Sequence, residues 1–392
     1  MSTGDSQNKK LDNVFTYQDK DLEGKHVLIF QKSGNIGGAE INLERWVTHF
    51  IDNYGMKFSL CGPGDGVFFD QMKDLGVSTY KVQLPDWRKG KNFLLRYWAQ
   101  ANIEKTLRNV PLDLIFSNDF FYSPYAVDIA IKKKRPSIIH IQSDCAPNRI
   151  RQYHLNNATK VLTTTRYSIN KLSSQLSHDQ LDYAPCIIQK PVKLEKIKSP
   201  NLYHKDNGNL SFGIAANILP HKGTNFFIEL LTHLKNLSGW EIHWVGSDPQ
   251  GIRSHLKKQS DSLGMSDRIT FHGFEREMNV FYRSIDCLLH PAQFETFGIV
   301  IAEAMSYKLP VIATATEGAK EILGSTSTKR WIVSLDRPEN MAKMMIQLIK
   351  NKERIEDEGN IFYQNYLKNY DSSLALDHIK KIFLQTLDKG VF

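Results

Sequence analysis

The stretch LLHPAQFETFGIVIAEAMSYKLPVIAT, residues 288–314, decides how the rest of the chain is read. An apolar run that begins at Cys287 ends at Pro291. A short polar loop carrying Glu295 and Phe297-Gly298 comes next. Helical periodicity then covers residues 299–307, with Glu303 inside it, and a second apolar run occupies 310–313. Strand, loop, helix and strand in that order predict a βαβ unit of a parallel sheet. Ligands of such sheets sit at the carboxyl ends of the strands, with anionic groups at helix N-termini. Glu295 falls in the loop and Glu303 about one turn into the helix. One carboxylate can face the reacting end of a ligand while the other holds a distant hydroxyl.

Working outward, residues 210–215 predict the first strand of a second α/β series. It runs into the loop Ala216-Asn217-Ile218-Leu219-Pro220-His221-Lys222-Gly223, with a helix expected from Thr224 or Asn225. Lys222 therefore sits where a loop meets a helix N-terminus, a placement that favours phosphate. Further strands are expected near 241–246, 269–272, 285–290, 310–313 and 331–333. The first half shows the same alternation. Strands are expected at 26–31, 57–61, 79–83, 112–117, 138–142, 161–164 and near 186–188, with helices over 39–53, 67–75 and 92–108. Strands alternating with helices at this spacing imply doubly wound parallel sheets. After 26–31 comes Gly34-Asn35-Ile36-Gly37-Gly38-Ala39-Glu40, a glycine turn opening a helix. It does not fit G-x-G-x-x-G, which argues against a nicotinamide dinucleotide site.

The residues around the carboxylates resemble a known signature. Pro291, Glu295, Phe297-Gly298, Glu303-Ala304-Met305 and Pro310-Val311 stand in the order and spacing found in family 4 retaining glycosyltransferases of the GT-B fold. Gly37-Gly38-Ala39-Glu40 resembles that family's first loop, and Lys222-Gly223 its diphosphate-binding turn. The resemblance runs from about residue 25 to the end. It implies two Rossmann-like domains facing each other across a cleft, with an N-terminal acceptor domain over 25–195, a linker over 196–209, and a nucleotide-sugar-binding domain over 210–371. Residues 1–24 would be a polar lead-in, and 372–392 an amphipathic helix crossing back to the first domain.

The resemblance also implies chemistry. A sugar passes from a nucleoside diphosphate sugar, UDP- or GDP-linked, to a glycan or lipid-linked acceptor with retention of configuration, a hexosyltransferase-type reaction (EC 2.4). Glu295, with the Phe297 and Gly298 amides, would hold the sugar hydroxyls. Glu303 would accept from the ribose. Lys222, Gly37 and Gly38 would face the diphosphate. His140, at a strand end, would contact the donor sugar near its 6-position. Asn118-Asp119 points toward acceptor contacts or loop capping. The family carries Arg where this chain has Asn217. That removes a bidentate fork which Lys cannot replace. The departure keeps open a second reading, a catalytically weak binding or scaffold subunit. A sugar-nucleotide epimerase is disfavoured by the signature around Glu295. Surface polysaccharide or glycolipid assembly is the setting the resemblance suggests.

Composition bounds these readings. The 392 residues suffice for two cores, and the 41% hydrophobic and 23% charged fractions are those of a globular protein. No run of about 18 apolar residues and no apolar N-terminal segment is present, so neither a membrane span nor a secretory signal is expected. Cys61, Cys145, Cys186 and Cys287 form no C-x-x-C pair. They fit a reducing cytoplasm and no metal cluster, and no cofactor beyond the donor is called for. No carboxylate cluster suggests Mg²⁺, so metal independence is expected. The net charge of +8 suits anionic partners, yet no nucleic-acid module is present. Trp87, Phe93, Tyr97 and Trp98 interleave with Arg88, Lys89, Lys91, Arg96 and Lys105 over residues 84–108. That mixture suits either a packed helix with a basic edge or peripheral docking on the anionic inner face of a membrane.

Overall fold

The computed structural model describes residues 19–87, 93–188, 191 and 208–388. Most of the lead-in and of the linker, the basic residues Arg88, Lys89 and Lys91, and the last residues of the tail lie outside that set.

Two all-parallel sheets carry the chain. The first has seven strands: β1 (His26–Phe30), β2 (Lys57–Gly62), β3 (Ser78–Lys81), β4 (Leu114–Asn118), β5 (Ser137–Ile141), β6 (Lys160–Thr163) and β7 (Leu181–Tyr183). Their spatial order is β3-β2-β1-β4-β5-β6-β7. The second has six: β8 (Leu210–Ala215), β9 (Trp240–Val245), β10 (Ile269–Gly273), β11 (Cys287–His290), β12 (Val311–Thr314) and β13 (Ile332–Val333), ordered β10-β9-β8-β11-β12-β13. These are the doubly wound sheets that the alternating pattern predicts. Each reverses its strand order once, between β1 and β4 and between β8 and β11, and a crevice opens outside the strand ends at such a point.

Helices cover both faces. In the first half these are α1 (Gly38–Tyr54), α2 (Val67–Asp74), α3 (Phe93–Thr106), α4 (Ser123–Lys133) and α5 (Arg166–Leu172). In the second they are α6 (Thr224–Leu234), α7 (Arg253–Ser262), α8 (Met278–Arg283), α9 (Ile299–Ser306), α10 (Glu317–Leu323), α11 (Pro338–Lys350) and α12 (Arg354–Asn369). The last helix, α13 (Ser372–Asp388), packs against the first sheet. Its Phe383 lies 5.6 Å from Trp46 of α1, ring centre to ring centre, and Ala375, Ile379 and Ile382 join the same core. Both strands and helices read as apolar where they face these cores, because parallel sheets are buried on two sides.

One predicted strand is displaced. The seventh strand of the first sheet is Leu181–Tyr183, and residues 184–188 leave the sheet. Pro185 has no N–H to donate to a ladder. The polar groups of Ile187 go instead to α1: its N–H donates to Asn42 Oδ1 at 2.8 Å, and its carbonyl accepts from Arg45 Nη1 at 2.7 Å.

Candidate active site

A cleft of about 970 Å³ lies between the two sheets. The glycine loop and α1 line it from the first half, and the ends of β8 and β9 with the Glu295 loop and α9 from the second.

At its floor two loops of the second half are stitched together. The backbone N–H groups of Gln293 and Phe294 both donate to the His221 carbonyl, at 2.9 and 3.3 Å. Gly223 stands at φ +92°, and a Cβ there would sit 2.0 Å from the Pro291 carbonyl oxygen. Only glycine allows this approach. The stitching delivers Lys222 Nζ to 2.7 Å from Glu295 Oε2. Gly223 then caps α6, and Gly298 at φ +92° caps α9, so two helix N-termini open onto the same floor. The Phe297 ring is buried in the core, which leaves its backbone as the part that faces the cleft.

The charges at the floor are strongly coupled. Burial alone would raise the Glu295 carboxyl, but Lys222 and His290 beside it hold it below the usual value. His290 Nε2 lies 3.7 Å from Glu295 Oε2 and has no hydrogen-bond partner among the described residues. Burial pushes that imidazole down to about 4, so it is neutral at pH 7.

Glu303 is placed further along the cleft, buried, and it is engaged across it. Its Oε1 accepts from Arg45 Nη2 of α1 at 2.6 Å, and its Oε2 from the Tyr282 hydroxyl at 2.8 Å. Asn217 lines the cleft, but its Oδ1 accepts from the Ser247 N–H at 3.0 Å. The side chain thus ties the loop after β8 to the loop after β9. Gly37 and Gly38 stand opposite α9, and a Cβ on Gly38 would meet Ile299 Cδ1 at 3.5 Å. The Gly37 N–H donates to Glu40 Oε2 at 3.1 Å, which sets the loop's exit into α1.

The structure therefore brings Glu295, Lys222, Glu303, Gly37, Gly38, Phe297, Gly298 and Asn217 to one cleft. It does not bring His140 there. His140 is 1% exposed, shares a face of β5 with Ile138, and packs edge-on to Phe116 at 6.2 Å. Strand periodicity puts alternate residues on opposite faces, and this one belongs to the core under α1 and α13. The residue two places on, Gln142, reaches the cleft instead, and the Thr296 hydroxyl donates to its carbonyl at 3.2 Å. Asp119, at φ +115°, is half-buried beside it, accepts from Ser143 Oγ at 2.6 Å, and is pushed up to about 6 by desolvation of its carboxyl.

Sequence reasoning missed Arg45, Tyr282, Gln142 and His290. Arg45 had a readable signal: it lies seven residues, two helical turns, after Gly38 and so on the same side of α1. His290 sits inside the decisive stretch itself, at the end of β11. Tyr282 and Gln142 carried no local mark. Among the described residues no group of three or more His, Cys, Asp or Glu could hold a metal ion.

Comparison with known proteins agrees with this architecture. Residues 195–364 match the family model of glycosyl transferases group 1. Among curated relatives, the lipopolysaccharide core biosynthesis mannosyltransferase LpsB of Rhizobium meliloti is 26% identical over 148 residues, 36% of this chain and 42% of that protein. The alpha-D-kanosaminyltransferase of Streptomyces kanamyceticus is 27% identical over 168 residues, 42% of this chain and 43% of that one. The matched region thus spans about two-fifths of these relatives' length. Among solved structures, Anabaena HepE in complex with UDP-glucose superposes with a TM-score of 0.73 at 18% identity, covering 91% of this chain and 99% of that one. A glycosyltransferase from Rickettsia africae gives 0.78 at 15% identity, covering 93% and 99%. With residues 195–364 matching the family model and both sheets matching the GT-B architecture, this chain is similar to the group 1 glycosyl transferases.

Proposed function

We propose that the chain is a retaining glycosyltransferase that takes a nucleoside diphosphate sugar into the cleft and passes the sugar to a glycan or lipid-linked acceptor. The observation that carries this reading is the Lys222–Glu295 pair, 2.7 Å apart between two helix N-termini. A departing diphosphate needs cationic and N–H stabilisation at one end of the site. A sugar needs a fixed, ionised acceptor for its hydroxyls at the other. Lys222, with the amides after Gly223 and Gly298, supplies the first. Glu295, kept ionised by Lys222, supplies the second. Glu303 takes the ribose hydroxyls, sharing its carboxylate with Arg45 and Tyr282. Gly37 and Gly38 leave the backbone open to the diphosphate from the other half. With these groups carrying the leaving-group charge, the transfer runs without a divalent metal. LpsB and HepE, named for lipopolysaccharide core mannosyl transfer and solved with UDP-glucose, make UDP- and GDP-sugars the first donors to try.

The acceptor side includes a membrane surface in this reading. No helix among the described residues is long and apolar enough to cross a membrane. Yet Leu94, Leu95, Tyr97 and Trp98 of α3 are all more than half exposed. Aromatic and leucine side chains on a surface helix suit peripheral binding to an anionic inner leaflet. The test is turnover. Release of nucleoside diphosphate from a UDP- or GDP-sugar, in the presence of a chelator, is expected, with the product anomer matching the donor. Binding of the nucleotide sugar with no turnover under any acceptor would favour the scaffold subunit, for which Asn217 in place of Arg is the supporting feature. Sedimentation with anionic vesicles, lost in Trp98→Ser with Leu95→Ser, tests the membrane part separately.

A further inference from the structure

A continuous line of side-chain hydrogen bonds crosses the carboxyl edge of the first sheet, from the glycine loop to the Glu295 loop. Gln31 Nε2, at the end of β1, donates to the Ser33 carbonyl at 3.0 Å and to Glu40 Oε1 at 2.7 Å. Asn118 Nδ2, at the end of β4, donates to Gln31 Oε1 at 2.9 Å. Gln142 Nε2, beyond the end of β5, lies 3.3 Å from Asn118 Oδ1 and 3.0 Å from His140 Nδ1. Gln31 and Asn118 are 1% and 4% exposed, so neither amide can turn to water for another partner.

The direction of every amide in this line is set by its first member. A backbone carbonyl and a carboxylate oxygen only accept. Gln31 must therefore point its NH₂ at Ser33 and Glu40 and its oxygen at Asn118. Asn118 must then donate to Gln31 and turn its own oxygen to Gln142. Gln142 must answer with its NH₂. Its second N–H meets His140 Nδ1, which fixes that imidazole as the tautomer protonated on Nε2. Burial pushes His140 down to about 4, so the ring stays neutral and keeps Nδ1 as an acceptor. Both donor positions of Gln142 are consumed. Among the described residues no group donates to its side-chain oxygen. Gln142 lines the cleft, and the Thr296 hydroxyl bonded to its backbone carbonyl joins it to the loop that holds Glu295.

We propose that Gln142 is a sugar-binding residue whose carbonyl oxygen is presented to the cleft as an obligate acceptor, and that Gln31, Asn118 and His140 are positioning residues that prevent the amide from turning. This rests on the reading of the cleft as a nucleotide-sugar site and adds what that site asks of the sugar. A hydroxyl that can donate must stand beside Glu295. A sugar lacking that hydroxyl is bound more weakly, because it shields the acceptor from water without giving it a donor. It also gives the buried His140 a task that its place in the core allows.

The experiment compares two ligands, nucleoside diphosphate and nucleoside diphosphate sugar, by calorimetry. UDP with UDP-glucose is the first pair, with the GDP and ADP pairs next. Binding of none of these pairs to the native protein would overturn the donor reading, and the role of Gln142 with it. The variants judge Gln142 with the donor reading intact. In Gln142→Leu the sugar-bearing nucleotide should bind about tenfold more weakly while the nucleoside diphosphate binds as in the native protein. Retained diphosphate binding also reports that the variant is folded. Asn118→Leu, which removes the acceptor facing Gln142, should lose part of the same increment. A monodeoxy sugar series should contain one member that the native protein rejects and Gln142→Leu does not. Loss of both ligands or of neither in Gln142→Leu overturns the role of Gln142. Binding of the nucleotide sugar by Asn118→Leu as tight as by the native protein overturns the positioning line.

Discussion

Glu295 and Lys222 are each written into the sequence, but their worth comes from standing 2.7 Å apart. Removing one partner of such a half-buried pair leaves the other charge without compensation. Glu295→Gln keeps the shape and loses the charge that we propose holds the sugar hydroxyls. Turnover is expected to fall by at least about a hundredfold, and the melting temperature to drop because Lys222 loses its counter-charge. Lys222→Ala should weaken nucleoside diphosphate binding by about a hundredfold. Steady-state kinetics and calorimetry on the two variants separate these roles. Single residues also set the response to acid. His290 and His140 are pushed down to about 4 by burial, so the unfolded chain takes up their protons first as pH falls. Their contribution is whole above about pH 6.5 and is lost as pH falls from 6.5 through 4. Glu295, held below its usual value, adds in the same direction at still lower pH. Asp119, pushed up to about 6, works the other way, its contribution being lost as pH rises through 6. Two fully buried imidazoles outweigh one carboxyl. The melting temperature should therefore drop between pH 7 and pH 4.5, and His290→Gln should lessen that slope.

At the scale of elements, the floor of the cleft depends on how two loops approach. Gly223 and Gly298 share a φ of +92°, yet their surroundings differ. A methyl at Gly223 meets the Pro291 backbone at 2.0 Å, whereas one at Gly298 first meets the flexible end of Ile301 at 3.0 Å. Both substitutions carry the cost of a left-handed backbone, about 1–2 kcal/mol. Only the first must also push apart the loops carrying Lys222 and Glu295. Gly223→Ala should therefore destabilise by roughly 2–4 kcal/mol and abolish diphosphate binding, while Gly298→Ala costs less and keeps it. Thermal melts with and without nucleotide distinguish the two. The strand misread at residues 186–188 belongs to this scale as well. Cys186-Ile187-Ile188 is apolar and β-branched, as a strand should be, and Pro185 alone argues against it. Its backbone groups are taken by Asn42 and Arg45, more than a hundred residues away, which local pattern cannot show.

Across the whole molecule, several polar contacts join the two halves, some of them at the cleft. Arg45 bonds Glu303 at 2.6 Å, the Thr296 hydroxyl bonds the Gln142 carbonyl at 3.2 Å, and the Arg166 N–H bonds Glu321 at 3.2 Å. Arg45 is the hub, since it also holds the Ile187 carbonyl in the segment between the halves. Interfaces this polar allow relative motion of domains. Arg45→Ala should open the empty protein, read as a larger radius of gyration in small-angle scattering. Saturating nucleotide sugar should close it again, because a ligand in the cleft would touch residues of both halves. No change in scattering would show that Arg45 does not hold the cleft.

Periodicity alone determined the two doubly wound sheets, since apolar runs of strand length alternating with amphipathic helices admit few other packings. The spacing of Glu295, Phe297-Gly298, Glu303 and Lys222-Gly223 was equally legible, because each lies at or within about a turn of a strand-to-helix junction whose position is set within a dozen residues. What only the tertiary structure decided was partnership. Gly223 could be read as a turn, but not that it abuts Pro291. His140 could be read as a strand end, but not that the sheet turns it into the core and leaves Gln142 at the cleft. Arg45 on Glu303, and Gln31 through Asn118 to Gln142, join residues far apart in the chain. Their geometry is fixed by sheet register and by the approach of two domains, quantities that no local stretch of sequence contains.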